Sequence, residues 1–178
     1  MRAFPFPDRL ESREELKRDI LYRRIPEEDR EAVCDMAWER GRKAACEILE
    51  QYPGMKLPEI AGKEGLKVEY AEEEKVNAVL RTFGEYSVRE NKMILYQGSI
   101  KKWAQANELP FEEAQELVSA HEFFHFLECT RLGETSKLYT VPTLRIGRLI
   151  LARSGIRALS EIGAHGFART YFEKRKEQ

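Results

Sequence analysis

The chain predicts an α+β fold: a helix-rich single domain with a small, about three-stranded sheet packed beside one histidine-bearing helix. Three observations carry that expectation. Apolar residues recur at helical spacing over 110–131 and 156–174, and three short runs rich in β-branched and aromatic residues are bunched between residues 67 and 97. A length of 178 residues suffices for one sizeable core but not two.

Taken in order, residues 11–23 and 27–51 read as helices. The second is entered through Pro26 and Glu27-Glu28-Asp29, residues suited to a first turn whose amides are unpaired and whose dipole end is positive. Tyr52-Pro53-Gly54 ends it, and residues 1–52 are expected as an N-terminal helical segment ahead of a core spanning 57–174. Leu57 to Leu66 reads as a short helix closed by Gly65, leading into a strand at 67–70. Residues 76–83, with Val76, Val79, Leu80 and Phe83, and residues 92–97, with Met93, Ile94, Leu95 and Tyr96, are expected to pair antiparallel around Arg89-Glu90-Asn91. Ser99 caps a short helix to Asn107. Pro110 opens a longer one to about Arg131, with Gly133 just beyond its end, and a last helix runs from about Ile156 to Lys174.

Composition narrows the function. Thirty basic and 31 acidic residues leave a net charge of −1, so no whole-chain field draws nucleic acid or an acidic membrane. No run approaches the roughly 20 apolar residues of a membrane span, and Met1 to Asp8 lacks the apolar core of a signal peptide. The expectation is a cytoplasmic protein with no membrane partner and no direct nucleic-acid binding. Cys34, Cys46 and Cys129, odd in number and without paired spacing, read as reduced, buried thiols. From Thr135 to Ser160 there is no acid, while Lys137, Arg145, Arg148, Arg153 and Arg157 accumulate; this run reads as a solvated face around Leu149-Ile150-Leu151. Glu72-Glu73-Glu74 reads as a solvated turn.

The chemistry concentrates in His121-Glu122-Phe123-Phe124-His125. Four residues advance a helix by about 40° and 6 Å, so the two imidazoles project side by side and can share one cation. Glu122 is displaced by about 100°, beside that ion rather than on it, where its carboxylate can take a proton from an activated water. A catalytic zinc needs a third protein ligand. All four aspartates lie in the first 35 residues, and the acids after His125 are Glu128, Glu134, Glu161, Glu173 and Glu177. Glu128 lies about 10 Å along the helix axis from His121, better placed to support a histidine than to join both. Glu161 is the best choice, because glycine or alanine at 163, 164, 166 and 168 lets its helix approach the histidine helix closely. His165, on the same face, either orients a ligand by a hydrogen bond or replaces Glu161 as third ligand, the former being preferred. Donor type favours Zn²⁺ and permits manganese or iron. A longer metzincin pattern is excluded by Glu128 and Arg131.

On these residues the chain resembles the ImmA/IrrE family of small gluzincin-like metallopeptidases. The likeness covers roughly residues 57–170: Leu57-Pro58-Glu59-Ile60-Ala61 with Gly65, a strand pair, His121-Glu122-x-x-His125, and Glu161-x-x-Ala164-x-x-Phe167-Ala168. The resemblance implies zinc ligands at His121, His125 and Glu161, a general base at Glu122, and as substrate a helix-turn-helix transcriptional repressor on another chain. Two departures bear on the cleft: Phe124 stands where the family usually has glycine, and His165 where it often has asparagine.

The leading expectation is therefore a zinc-dependent endopeptidase acting on a cytosolic protein, its substrate paired with the sheet near residues 92–97 and its oxyanion steadied by Tyr139, Arg169 or Tyr171. The alternative is a non-proteolytic, metal-stabilised regulatory or interaction domain. A di-iron carboxylate site would need a second Glu-x-x-His, which the chain lacks.

Overall fold

The computed structural model describes residues 6–78 and 80–177 and has the expected α+β class. Expectations for Met1 to Pro5 and for Val79 lie outside the described residues. The first helix, α1 (Arg13–Arg18), is shorter than the 11–23 expected, and a 3-10 turn at Tyr22–Arg24 follows it. Asp19 is the reason for the break. Its backbone is extended (ψ 134°), and its carboxylate accepts from Leu21 N at 2.8 Å and from Ala158 N at 2.9 Å. An aspartate that bonds to backbone amides competes with helix continuation, and here it also caps a helix distant in sequence.

That distant helix, α6 (Ala158–Lys176), is the structural centre. It packs on one side against α2 (Arg30–Gln51) and on the other against α5 (Phe111–Leu127). The small residues of α6 serve both neighbours, whereas the sequence reading assigned them to the histidine helix alone. A Cβ on Gly41 of α2 would lie 1.9 Å from the Gly163 carbonyl oxygen, and one on Gly166 would lie 2.5 Å from that of Trp38. On the α5 side, the Phe124 ring occupies the space over Gly163, where a Cβ would come within 2.8 Å. Ala44, Ala45, Ile48 and Leu49 of α2 thus share one core with Leu117, Phe123 and Phe124 of α5 and Phe167 and Tyr171 of α6.

Between α2 and α5 lie α3 (Leu57–Lys63), β1 (Lys67–Ala71), β2 (Lys75–Asn77), β3 (Leu80–Thr82), β4 (Gly84–Ser87), β5 (Lys92–Tyr96) and α4 (Gln97–Ala106). The three-stranded sheet has the order β1-β5-β4, with β5 parallel to β1 and antiparallel to β4. The antiparallel partner of 92–97 is therefore Gly84–Ser87. Residues 75–82 form a separate hairpin, β2 with β3, whose Val76 and Leu80 are exposed. The apolar run drew the strand assignment to the hairpin, while the true edge strand, Gly-Glu-Tyr-Ser, carries little apolar signal.

Two further differences lie after α5. That helix ends at Leu127 and widens into a π-turn, Glu128–Leu132, before Gly133 at φ 77°. The basic stretch read as a solvated face is a β-hairpin, β6 (Thr140–Ile146) with β7 (Leu149–Gly155), turning at Gly147 with φ 60°. Glu72-Glu73-Glu74 is also more than a turn: Glu74 binds both Arg81 of β3 and Lys102 of α4. Among the described residues no helix is long and apolar enough to cross a membrane.

Candidate metal centre

Helix α5 buries Ala114, Leu117, Val118, Phe123 and Phe124 and leaves His121 and His125 half-buried, facing α6. Glu161, in the first turn of α6, meets them there. His121 Nε2 lies 3.2 Å from Glu161 Oε2 and 3.3 Å from His125 Nε2, and His125 Nε2 lies 3.7 Å from Glu161 Oε1. Donors arranged tetrahedrally at zinc bond lengths stand about 3.3 Å apart. His121 meets one Glu161 oxygen and His125 the other, and with one donor atom from each residue all three lie within 4.8 Å, a donor set of the right type and closeness for a single ion. Among the described residues no other cluster of three or more such side chains converges in this way. The Glu161 carboxyl, about half exposed, is drawn down to about 2: partial burial pushes it up, but the His121 contact and the neighbouring imidazoles outweigh that.

Glu128 sets the orientation of His125. It is 5% exposed, and its Oε2 accepts from His125 Nδ1 at 3.1 Å and from the Ser160 hydroxyl. Its Oε1 accepts from Thr135 N at 2.8 Å. Burial would raise the Glu128 carboxyl, yet these three donors hold it below the usual carboxylate range. Burial alone would lower His125, but Glu128 and the other carboxylates raise it. With Nδ1–H donated backward, the lone pair on Nε2 faces His121 and Glu161.

Glu122 stands apart from the donor triangle but lines the same cleft as His121 and Glu161. Burial is the main cause that raises its carboxyl, with His121 and His125 pulling the other way. Its room comes from Gly84 at the start of β4, where a Cβ would lie 2.8 Å from Glu122 Cγ and 3.3 Å from Oε1. The cleft, about 800 Å³, is also walled by Phe6, Leu80, Phe83, Trp103 and His165. A second cleft of about 380 Å³, bounded by Tyr86, Val88, Arg157 and Ser160, meets the triangle from the His125 side. Glu161 lines both.

His165 does not join the donor triangle. It is 8% exposed, its Nδ1 lies 3.2 Å from the Ser12 hydroxyl, and its ring stands 5.4 Å from those of His121 and Phe6. Burial first, and then the neighbouring His121, push its imidazole down to about 3, so it is a neutral ring behind His121. Phe124 is fully buried over Gly163 and lines neither cleft, so its bulk is accommodated by a glycine on α6 and does not shape either cleft.

The three oxyanion candidates lie elsewhere. Tyr139 donates to Asp29 at 2.5 Å, Arg169 binds Glu173 and the Phe6 carbonyl, and Tyr171 is buried against Phe167. None lines either cleft. Nor can a substrate pair with residues 92–97, because β5 is hydrogen-bonded on both sides; the strands at the cleft with an edge that no further strand pairs are β4 and β3. Sequence reasoning did not single out Ser12, Thr135 or Ser160, whose contacts reach across 153, 7 and 32 residues. Of these, only Ser160, directly before Glu161, carried any positional hint. Of the three thiols, all free, only Cys34 is buried; Cys129 is exposed.

Comparison with family models, with curated proteins and with solved structures finds no match to this chain.

Proposed function

We propose that the protein is a zinc-dependent endopeptidase that hydrolyses a cytosolic protein substrate, with His121, His125 and Glu161 as metal ligands and Glu122 as general base. The observation that carries this reading is the triangle of two imidazoles and one carboxylate whose donor atoms stand 3.2 to 3.7 Å apart, with a second, partly buried carboxylate beside it on an open cleft. When bound, zinc supplies a Lewis acid that polarises a carbonyl and lowers the pKa of a water.

The rest falls to the chain. Glu122, whose burial raises its proton affinity, accepts a proton from the attacking water and returns it to the leaving amine. The free edge of β4 offers backbone groups to an extended peptide, and the two clefts on either side of the triangle supply the length such a peptide needs. The large cleft, with Phe6, Phe83 and Trp103, favours apolar side chains. The resemblance to the ImmA/IrrE family adds a helix-turn-helix repressor as substrate class, and free thiols, one exposed, suit a cytoplasmic location.

Glu122→Gln keeps size and hydrogen bonding but removes the base. Purified wild type and variant are to be incubated with casein and with candidate repressors, with and without chelator, and cleavage followed by mass spectrometry. Metal content should be equal, while chelator-sensitive cleavage falls by about 10² or more in the variant. Equal cleavage by both proteins would overturn the mechanism, and metal binding without any cleavage would favour the regulatory-domain alternative.

A further inference from the structure

We propose that the β6–β7 hairpin is a docking arm for an acidic, extended segment of another protein, which adds to its free edge. Five of its side chains are large, apolar and exposed: Leu144 53%, Ile146 67%, Leu149 63%, Ile150 42% and Leu151 48%. No other helix or strand among the described residues carries more than one such residue. The base of the hairpin is held firmly. Val141 is 2% exposed, Ile156 N donates to the Ser136 carbonyl at 2.9 Å, and Arg24 donates to the Pro142 carbonyl at 2.7 Å. Its outer half extends beyond these anchors, a concentration of exposed apolar surface that marks an interaction site rather than chance exposure.

The register sorts the side chains. Ile146 pairs with Leu149 and Leu144 with Ala152, so Leu144, Ile146 and Leu149 share one face, while Arg145 and Ile150 share the other. Arg148 sits at the turn. Among the described residues neither Arg145, Arg148 nor Arg153 reaches a carboxylate, and the chain has no acid between Thr135 and Ser160. This contrasts with Arg9, Arg13, Arg42 and Arg81, all ion-paired. Arg24 already occupies the Pro142 and Thr143 carbonyls of β6 and Arg153 is tied to Thr140, so the edge open to a third strand is that of the outer part of β7. With an apolar face and arginines that meet no carboxylate, it matches a strand that alternates acidic and apolar residues.

Other occupants fit less well. A second copy would set Arg145, Arg148 and Arg153 against their own counterparts. A membrane would have to accept Arg148 deepest, at the tip. Nucleic acid would meet aliphatic side chains, since β6 and β7 hold no aromatic residue on which a base can stack. The proposal does not rest on hydrolysis, because the arm is outside the donor triangle and binding is read without turnover.

The test uses the full chain in the Glu122→Gln background, so that cleavage cannot consume the probe. Short fluorescent peptides alternating Glu with Val, and their Lys–Val counterparts, are titrated by anisotropy at low and high salt. The acidic peptide should bind and the basic one should not. Arg145→Glu/Arg148→Glu and Leu144→Ser/Leu149→Ser should each weaken binding about tenfold or more, with metal content and circular dichroism unchanged. Failure of the acidic peptide to bind, or binding indifferent to both variants, would overturn the proposal. So would binding to phosphatidylserine vesicles or single-stranded DNA without binding to the acidic peptide, or a stable dimer that the leucine variant dissolves.

Discussion

An imidazole has two nitrogens, and what holds the rear one decides what the front one presents. In His125 the rear nitrogen is fixed by Glu128, itself fixed by Ser160 and Thr135 N, so its front lone pair is aimed before any ion arrives. Glu128→Gln keeps the shape but loses the charge that stabilises this arrangement. Metal affinity, measured by competition with a chromophoric chelator, should fall about 10–100-fold while the helical circular dichroism persists. Unchanged affinity would mean that Glu128 serves only packing. At this scale His121 and His125 as candidate donors, with Glu122 as candidate base, were legible because they lie in one local pattern whose helical geometry is known in advance; Glu161 was legible only from the small residues that follow it. Ser12 and Thr135 were not, since a serine hydroxyl or a loop amide acquires its role only from what the fold brings against it. His165 was legible as a neighbour of the site but not in its partner, Ser12.

Elements show where pattern and packing part. The helices were readable from apolar spacing and end signals, and α2, α5 and α6 fall close to their expected bounds. Strands β4, β6 and β7 were not: β4 is a polar edge strand, and the apolar residues of β6 and β7 largely face outward, so neither has the alternation of a half-buried strand. The closeness of α2 to α6 was likewise invisible, because a glycine says that an approach is permitted and not which helix makes it. Gly41→Ala tests it. Helix propensity alone makes that change stabilising by about 1 kcal/mol, whereas the added Cβ would overlap the Gly163 carbonyl oxygen. Net destabilisation of about 1–3 kcal/mol is expected, seen as a lower Tm, together with weaker metal binding because Glu161 sits on the displaced helix. A Tm equal to or above wild type would contradict the α2–α6 contact.

At the scale of the whole molecule, length was enough to expect a sizeable core, and apolar spacing with the bunched strand runs to expect an α+β fold, while charge and composition could go no further. What it could not reveal is that the N-terminal helices complete the site. Asp19 caps the helix carrying Glu161, Ser12 holds His165, and Phe6 walls the cleft. These couplings join residues more than 100 positions apart and exist only in the folded chain. All of them converge on the triangle of His121, His125 and Glu161, and the claim that this triangle holds a divalent ion is the one on which the functional reading depends. It is tested most directly by a crystal structure of protein purified without chelators, with anomalous diffraction recorded on both sides of the zinc absorption edge. One peak is expected, about 2 Å from each histidine Nε2 and from a Glu161 oxygen, and it should vanish below the edge. No peak in the triangle of well-ordered crystals grown with added zinc, or a peak only at other residues, would contradict it.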